Sequence, residues 1–408
     1  MTAVKSALVI GSGIAGPVTA MALQKAGIDV TIFEAYDGRA ANVGGAFTIA
    51  TNGLDALDAI DALGATEGLG YRAPRMQMYN ADSKLIGTLA TGIPRSDGVN
   101  STSFRRADMF SALNGEIKRR GIRIEYGKRF VRYTDNGDSV TAHFADGSAV
   151  TADILIGADG IHSQIRNMID SSAPSPRYTG LVSFGGFAAN PGLKPDPTGW
   201  HMTFGRKAFL GVFVPNAKEV WWFINVPKDQ PLSKEQIVNE GLERWSNTLI
   251  DLFKKDNTKA EAVIRATGPA GLIVLGAQYD LPDVKRWHRG RVAIVGDAAH
   301  AASTSSGQGA SMAMESSVTL GRCLRDCATP EEAFTTYEQI RRKRAEKIIA
   351  YGQKSANSKA AGPFAAMMRD TFMGIGLKYF YKPDSTDAWL LSHHIDFNAP
   401  VQVELATV

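Results

Sequence analysis

The sequence predicts an α/β fold with a doubly wound parallel sheet, an inserted, mainly antiparallel sheet and a C-terminal helical segment. Three observations predict it: an N-terminal strand–helix–strand unit, an aromatic-rich middle part with strand-like runs, and a buried strand that returns after that part. The chain has 408 residues, whereas single hydrophobic cores stop growing near roughly 250–300 residues. We therefore expect about two domains.

The N-terminal unit is predicted from its apolar pattern. Residues 4–10 form an apolar run typical of a buried strand, residues 15–26 form a helix that ends at Gly27, and residues 28–33 form a second strand. Two strands joined by a helix pair in parallel, which indicates a doubly wound sheet. Farther along, the pattern predicts helices at 52–63 and 102–121. It predicts short strands at 122–126 and 139–156.

The composition changes between about 175 and 285, where proline and aromatic residues become frequent. Strand-like runs there predict an inserted antiparallel sheet, at 181–188, 200–204, 208–215, 219–226 and 263–267. Residues 291–300 then return to a buried strand, and a long helix begins at about 307. We predict a discontinuous, Rossmann-like first domain that spans 1–175 and 285–355. A substrate-binding sheet domain would span 176–284, and a C-terminal helical, capping segment would span 356–408.

Composition and charge exclude several classes of partner. The formal net charge is only +4, whereas a nucleic-acid surface needs clustered basic residues. The basic run at 341–347 is predicted to be a solvated helix face. No stretch reaches the ~18 uncharged apolar residues of a membrane span, and Cys323 and Cys327 are expected to be buried thiols in a reducing compartment. We expect a cytoplasmic monomer or homodimer.

The first motif is GSGIAG, in which Gly11, Gly13 and Gly16 follow a strand and open a helix. Gly11 makes the tight turn, Gly13 lets the backbone approach a pyrophosphate, and Gly16 lets the helix pack on the sheet. Glu34 ends the second strand, where a carboxylate accepts hydrogen bonds from the ribose of an adenosine. The motif therefore predicts a dinucleotide site, for either NAD or FAD.

Two further motifs also follow predicted strands. One strand ends in Asp159–Gly160, and another ends in Gly296–Asp297 and leads through Gly307–Gln308–Gly309 into a helix. A carboxylate after a strand can bind the hydroxyls of a ribityl chain, and backbone N–H groups at a helix N-terminus favour negative charge. A reduced flavin ring carries such charge. The two motifs together indicate FAD rather than NAD.

The three motifs in this order resemble the flavoprotein aromatic hydroxylases, a family typified by para-hydroxybenzoate hydroxylase. The resemblance covers about residues 1–355, and the length of the chain is similar to that of the tetracycline-inactivating monooxygenases. It implies FAD as cofactor and NADPH or NADH as a transient co-substrate. Dioxygen would then form a flavin hydroperoxide that hydroxylates or epoxidises an electron-rich substrate.

The resemblance also implies which residues hold the cofactor. The glycine motif and Glu34 would bind the ADP half of FAD, Arg106 would reach its phosphates, Asp159 would bridge the FAD and NAD(P)H sides, and Asp297 would bind the ribityl chain or the pyrophosphate. The complete predicted set is Gly11, Gly13, Ile14, Ala15, Gly16, Glu34, Ala35, Arg39, Gly45, Arg106, Asp159, Gly160, Gly296, Asp297, Gly307, Gln308, Gly309 and Ala310. Arg39 is included as a contact of NAD(P)H, and Gly45, with Gly44, as part of a loop beside the isoalloxazine.

The loop after GDAAH departs from the family pattern. The family has prolines there, whereas this chain reads AASTSS; since proline restrains φ, the loop is expected to be looser. His300 is predicted to make a structural hydrogen bond, and no metal site is predicted at His393–His394 because a third ligand is missing. The pattern names no catalytic base, so the chemistry is expected to be mediated by the flavin.

The predicted substrate is a bulky aromatic or polycyclic small molecule, because part of the aromatic sheet would line a pocket and the rest would form core. Three alternatives remain open. A dehydrogenase or reductase of a hydrophobic substrate would share the fold. A flavin halogenase would carry a WxWxIP motif and a catalytic lysine, to which the tryptophan pair at 221–222 and Lys84 are only near matches. A non-enzymatic nucleotide-binding protein is the third.

Overall fold

The computed structural model describes residues 4–37, 44–359 and 363–402. In chain order the strands are β1 (Ser6–Ile10), β2 (Asp29–Phe33), β3 (Ala46–Ile49), β4 (Tyr71–Arg72), β5 (Arg75–Asn80), β6 (Leu85–Ala90), β7 (Thr102–Arg105), β8 (Arg123–Glu125), β9 (Phe130–Asp135), β10 (Val140–Phe144), β11 (Ala149–Ala152), β12 (Ile154–Gly157), β13 (Arg177–Ala189), β14 (Asp196–Phe204), β15 (Phe209–Val214), β16 (Glu219–Pro227), β17 (Ile273–Asp280), β18 (His288–Arg289) and β19 (Val292–Ile294).

The helices in chain order are α1 (Ala15–Lys25), α2 (Thr51–Asp58), α3 (Arg106–Arg119), α4 (Gln164–Ile169), α5 (Lys234–Glu240), α6 (Leu242–Leu252), α7 (Ala260–Thr267), α8 (Asp297–His300), α9 (Gly309–Asp326), α10 (Pro330–Lys359), α11 (Pro363–Tyr379), α12 (Pro383–Thr386) and α13 (Ala388–Leu391). Short 3₁₀ turns lie at Leu63–Thr66, Pro269–Gly271 and Thr304–Ser306. No described helix has the length and apolar character needed to cross a bilayer.

The first sheet has six strands in the order β18-β19-β12-β1-β2-β8. All neighbours pair in parallel except β18 and β19. The strands β1, β12 and β19 are buried along almost their whole length, as expected for a parallel sheet covered on both faces. Because parallel strands share one edge for their carboxyl ends, the segments that follow β1, β12 and β19 are brought together there.

The second large sheet has seven strands in the order β17-β13-β16-β15-β14-β5-β6, all antiparallel except the pair β14–β5. One face packs on α6 and α7 through residues that include Phe184, Trp222 and Ile224. The other face carries Trp200, Phe209 and other aromatic residues toward β4 and β7. Two smaller sheets, β11-β10-β9 and β3-β7-β4, complete the described architecture.

The predicted fold class is confirmed, but two predicted elements are wrong. Residues 263–267 are helical, in α7, because Ala260, Val263 and Ile264 form one buried helical face against the sheet. Residues 102–105 form β7 rather than the first turn of a helix, because they pair with β3 and β4. The predicted domain boundaries stay a prediction; β5 and β6, from before residue 176, belong to the seven-stranded sheet.

Residues 394–399 pack on two helices, α2 and α9. The backbone N–H of Ile395 donates to the Asp55 carboxylate of α2 at 3.1 Å, and His394 Nδ1 lies 2.9 Å from the same group. Arg322 of α9 donates to the carbonyl of Ala399 at 3.1 Å. Residues 394–399 therefore lie across α2 and α9, whereas α11 packs on β6.

The contact of α1 with α9 supplies a test of this packing. A Cβ atom added at Gly321 would lie 2.9 Å from the Ala22 carbonyl oxygen, whereas one added at Gly115 on α3 would meet no atom within 4 Å. We expect Gly321→Ala to lower the free energy of unfolding by about 1–3 kcal/mol through overpacking. Gly115→Ala should raise it by about 0.5–1 kcal/mol through helix propensity. Urea unfolding measures both, and equal effects would contradict the close contact.

Candidate functional site

The GSGIAG turn is held by close backbone contacts that only glycine allows. Gly11 has φ +105°, and a Cβ atom there would lie 2.5 Å from the carbonyl oxygen of Ala158. A Cβ atom on Gly16 would lie 1.9 Å from the carbonyl oxygen of Gly11. Around Gly13, by contrast, no heavy atom of a described residue other than its chain neighbours would lie within 4 Å of an added Cβ. The turn is therefore tightly packed on the protein side and open beside Gly13, where a ligand could approach the backbone.

The three predicted motifs meet at the carboxyl edge of the parallel sheet. Gly11 lies against Ala158 and Asp159, which follow β12. Gly296, which follows β19, has φ +63°, and an added Cβ would lie 2.8 Å from Cβ of Ala15 on α1. The second and third motifs are joined by Arg166, whose guanidinium donates to the carbonyl oxygen of Ala298 at 3.1 Å. Segments far apart in the sequence thus form one site.

Glu34 lies directly beside the glycine turn. Its carboxylate accepts hydrogen bonds from the backbone N–H of Ser12 at 2.7 Å and from that of Tyr36 at 3.0 Å. Ala35 lies between Glu34 and Tyr36 at the end of β2. These bonds fix the carboxylate at the N-terminal end of α1, close enough to the turn for one ligand to contact both.

Asp297 and Arg106 approach each other from different parts of the chain. The Asp297 side chain is accessible, yet it lies among enough protein atoms that burial raises its pKa to about 6, although the charge of Arg106 acts in the opposite direction. Arg106 begins α3, its N–H donates to the carbonyl oxygen of Gly45 at 3.1 Å, and its side chain covers Gly44. Asp297 therefore lines a cleft rather than the outer surface.

Asp159 has one carboxylate oxygen engaged and one without a partner. Oδ2 accepts from the N–H groups of Gln164 at 2.9 Å and Ile165 at 3.2 Å, at the start of α4. Oδ1 is buried and makes no hydrogen bond to a described residue. Burial raises the pKa of this carboxyl. Gly160, with φ +78°, turns the chain from β12 into α4.

The loop of the third motif is held by a buried ionic network. The Asn52 side-chain amide donates to Gln308 Oε1 at 3.0 Å and to Glu315 Oε1 at 2.6 Å. Glu315 is fully buried and also accepts from Arg341 at 2.6 Å and from Arg344 at 2.8 Å. Burial alone would raise the pKa of Glu315, but the two guanidinium charges outweigh it and hold the pKa well below its usual range.

The network corrects the prediction that residues 341–347 form a solvated helix face. Arg341 is fully buried and Arg344 is 13% exposed. Both point inward because Glu315 on α9 offers a buried carboxylate that must be paired. The run of basic residues gave no sign of this role, because the sequence does not show which carboxylate faces which arginine.

The remaining predicted residues take the following positions. Gly307 adopts a left-handed conformation with φ +64° just before α9, and Gly309 and Ala310 begin that helix. Ile14 precedes the first residue of α1. His300 Nε2 lies 2.8 Å from Ser316 Oγ, and burial lowers the pKa of its imidazole to about 3, so the ring is neutral. Arg39 lies outside the described residues.

An aromatic wall on the seven-stranded sheet adjoins the segment that contains Arg106, because the guanidinium of the preceding residue, Arg105, lies 4.5 Å from the centre of the Phe187 ring. We use the name aromatic wall for the side chains of Phe187, Trp200, Phe209, Trp221 and Phe223, which lie on one face of that sheet. Trp200, Phe209 and Trp221 are buried, whereas Phe187 and Phe223 remain partly accessible. The wall ends in accessible rings, as expected for one side of a pocket for a flat ligand.

The site fits FAD on three observations. The helix N-terminus beside Gly13 is open to an anion. Asp159 keeps a buried oxygen that has no partner among the described residues, and Asp297 offers an accessible carboxyl inside a cleft. A dinucleotide carrying a pyrophosphate and a polyhydroxyl chain matches these groups in chemistry and in order.

Comparisons with known proteins agree with this fit. A family model described as an FAD binding domain matches residues 4–351. An FAD-dependent urate hydroxylase from Klebsiella pneumoniae is 28% identical over 353 residues, which is 85% of this chain and 88% of that protein. A 3-amino-4-hydroxybenzoate 2-monooxygenase from Streptomyces cremeus is 28% identical over 363 residues, with 83% and 84% of the two chains covered.

Solved structures show the same fold. A variant of Klebsiella pneumoniae HpxO, crystallised in complex with FAD, superposes with a TM-score of 0.80 at 25% identity, over 91% of this chain and 94% of that chain. The tetracycline destructase Tet(55) superposes with a TM-score of 0.69 at 19% identity, over 94% and 99%. The second likeness concerns the fold alone.

The cleft position of Asp297 gives a test of the third motif. We expect Asp297→Asn to weaken FAD retention, measured as the flavin that stays with the protein through gel filtration. The exposed carboxylate Asp138 supplies the matched control, Asp138→Asn, which should retain FAD as the parent does. Full retention by Asp297→Asn would show that this carboxyl does not hold the cofactor.

The raised pKa of Asp297 also predicts how stability depends on pH. Its pKa is about 6 in the folded protein and about 3.9 in an unfolded chain. Ionising this carboxyl therefore destabilises the FAD-free protein progressively as the pH rises from about 4 through 6. Asp297→Asn should equal the parent in free energy of unfolding below this window and exceed it above, as urea unfolding at several pH values would measure.

The Glu315 network predicts a large loss of stability on neutralisation. Glu315→Gln leaves two buried guanidinium groups without their counter-charge, so we expect the free energy of unfolding to fall by about 3–5 kcal/mol. Glu261→Gln is the control, because Glu261 is 62% exposed and pairs with Arg265 on the surface; it should cost less than about 1 kcal/mol. Similar losses in both variants would contradict the role of burial.

Proposed function

We propose that this chain, which belongs to the FAD binding domain family and is an FAD-dependent monooxygenase, hydroxylates a small, flat aromatic or polycyclic molecule. The reaction would consume NADPH or NADH and dioxygen. The observation that carries the proposal is the meeting of three motifs at one sheet edge, together with an aromatic wall that Arg105, next to Arg106, contacts. Bound FAD would supply the chemistry of electron transfer from NAD(P)H to dioxygen and of oxygen delivery.

The roles of the protein residues follow from their positions. Gly11, Gly13 and Gly16 would hold the pyrophosphate at the N-terminus of α1, and Glu34 would accept from the ribose. Asp297 would bind the hydroxyls of the ribityl chain, and Arg106 would place a positive charge beside the phosphates. The N–H groups at the start of α9, next to Gly307 and Gly309, would face the flavin ring and favour its negative charge when reduced.

Two further residues, Asp159 and Asn52, are each assigned a role. Asp159, whose Oδ1 is buried and has no hydrogen-bond partner among the described residues, would lie between the FAD and NAD(P)H sides. Asn52 keeps Gln308 in place from the opposite side of the loop. The sequence departs from its family by lacking prolines in this loop; a side-chain network takes over part of the restraint that prolines provide.

The aromatic wall would bind the substrate against the flavin and keep water out. Ring-on-ring packing favours flat, apolar molecules, and exclusion of water protects a reactive oxygen species from side reactions. The relatives named above act on urate and on 3-amino-4-hydroxybenzoate, both small planar rings. We therefore propose a planar ring of that size or a fused polycycle.

The halogenase alternative lacks structural support. Trp221 and Trp222 point to opposite faces of the sheet: the Trp221 indole donates to Glu219 at 2.8 Å, and the Trp222 indole donates to Thr267 at 2.8 Å. Lys84 is exposed at the hairpin between β5 and β6. A cytoplasmic location and a monomer or homodimer complete the proposal, in accordance with two free, buried cysteines.

Labelled dioxygen tests the proposed reaction. We expect the purified protein to be yellow, to release FAD on denaturation, and to transfer one atom of ¹⁸O from ¹⁸O₂ into an aromatic product when NADH or NADPH is present. Mass spectrometry of the product measures the transfer, and ¹⁸O-labelled water with ordinary dioxygen is the control. Consumption of NAD(P)H that yields only hydrogen peroxide with every aromatic compound would contradict a monooxygenase.

A further inference from the structure

Lys359 is a cation between the loop that precedes α9 and the aromatic wall, and the proposed mechanism has not used it. It is the last residue of α10 and is partly accessible. Its Nζ lies 3.2 Å from Ser305 Oγ and 4.4 Å from the centre of the Phe209 ring. One side chain therefore touches both the loop that precedes α9 and the aromatic wall.

These two contacts define where the ammonium group lies. Ser305 belongs to the 3₁₀ turn Thr304–Ser306, which leads directly into Gly307 and the N-terminus of α9. Phe209 begins β15 and packs at 5.1 Å against Phe204 and at 6.1 Å against Phe223, measured between ring centres. A substrate that lies between the flavin-facing loop and the aromatic wall would meet Lys359 at the rim of the two surfaces.

The charge of Lys359 is not compensated by a described carboxylate. The turn at 304–306 and the whole of β15 contain no ionisable side chain. In β13, the ionisable residues are Arg177, which pairs with Asp280, and Tyr178, which packs on Tyr279. Ser305 supplies a neutral hydroxyl and Phe209 a ring face. Desolvation lowers the pKa of Lys359 to about 7, and no charged group among the described residues opposes this shift.

An unpaired cation in a largely apolar cleft is costly unless an anion completes it. Two other buried cations, Arg341 and Arg344, have their carboxylate within the fold, and a third, Arg166, donates to two backbone carbonyl oxygens. Lys359 has none among the described residues, and its partial accessibility leaves room for one from solution. The ligand is therefore expected to supply the missing anion.

We propose that Lys359 is a substrate-binding residue that pairs with an oxyanion of the aromatic substrate, either a carboxylate or an ionised ring hydroxyl. The inference rests on the proposed monooxygenase function and narrows its substrate class to planar aromatic anions. The ring would lie along the aromatic wall while its oxyanion accepts hydrogen bonds from the ammonium group. This ion pair would fix one end of the ring and so set the orientation of the substrate.

Matched ligand pairs test this proposal on the FAD-loaded protein without turnover. The probes are benzoate against benzamide and naphthoate against naphthamide, which have nearly equal shapes and differ in charge. Titration is followed by the change in the visible spectrum of bound flavin and by calorimetry. We expect the carboxylates to bind about tenfold to a hundredfold more tightly than the amides, the range of one or two charge-assisted hydrogen bonds.

Three variants separate charge from folding. Lys359→Met should remove the preference for carboxylates, and Lys359→Arg should keep most of it because the positive charge remains. Lys354, an exposed residue of the same helix, supplies the control Lys354→Met, which should behave as the parent. The FAD content of all three variants should be unchanged, since Lys359 is assigned to the substrate and not to the cofactor.

Proton uptake gives an independent readout. Because pairing with an anion favours the charged amine, the pKa of Lys359 should rise on binding, and protons should be taken up above pH 7. Calorimetry in two buffers of different ionisation enthalpy measures this uptake. Affinity for carboxylates should fall as the pH rises above about 7 in the parent and stay constant in Lys359→Arg, which cannot release its proton in this range.

The proposal is overturned if the amides perturb the flavin as strongly as the carboxylates do, if no carboxylate perturbs it, or if Lys359→Met binds carboxylates as the parent does. These results would leave the monooxygenase function standing, because ¹⁸O transfer to a neutral ring tests that function separately. A protein that binds no FAD, or that transfers no ¹⁸O to any ring, would instead contradict the proposed function.

Discussion

The site depends on the pairing of one buried carboxylate. Glu315 connects α9 with α10 through Arg341 and Arg344 and with α2 through Asn52, which in turn holds Gln308 of the flavin-facing loop. Arg344 also donates to the carbonyl oxygen of Leu390 and so attaches the C-terminal segment. A charge removed from water must be fully paired. The pairing of Glu315 therefore keeps α2, α9, α10 and the C-terminal segment in one arrangement. The loop is held by this network behind it as well as by the hydrogen bonds of its own Ser303 and Ser306.

The sequence predicted the parallel sheet well because the information there is local. A strand, a glycine turn and a helix follow one another, and the burial of β1, β12 and β19 shows as continuous apolar runs. It failed at 263–267 because β-branched residues are typical of strands, whereas the actual partner of Val263 and Ile264 is the face of a sheet on which a helix packs. The pairing of β5 with β14 is long-range and has no local signal.

The candidate site divides in the same way. The glycines, Glu34, Asp159 and Asp297 were predicted because each follows a strand, and in parallel sheets such positions share an edge. The residues that support them were not predicted. Arg166 joins two motifs through a backbone carbonyl, Arg341 lies in what resembles a surface run, and Lys359 is the end of a long helix. Their roles depend on which element packs against them, and a sequence does not show that directly.

The distance along the chain between α1 and α9 has a consequence for biosynthesis. Thr19 of α1 donates to Ser317 of α9, and Gly16 to Leu23 are buried beneath elements that include α9. About 300 further residues must therefore leave the ribosome before α9 can cover α1. At roughly 5–20 residues per second, the apolar surface of the first strand–helix unit stays open for tens of seconds on the ribosome. During that interval it is a surface for chaperones and, without them, for aggregation.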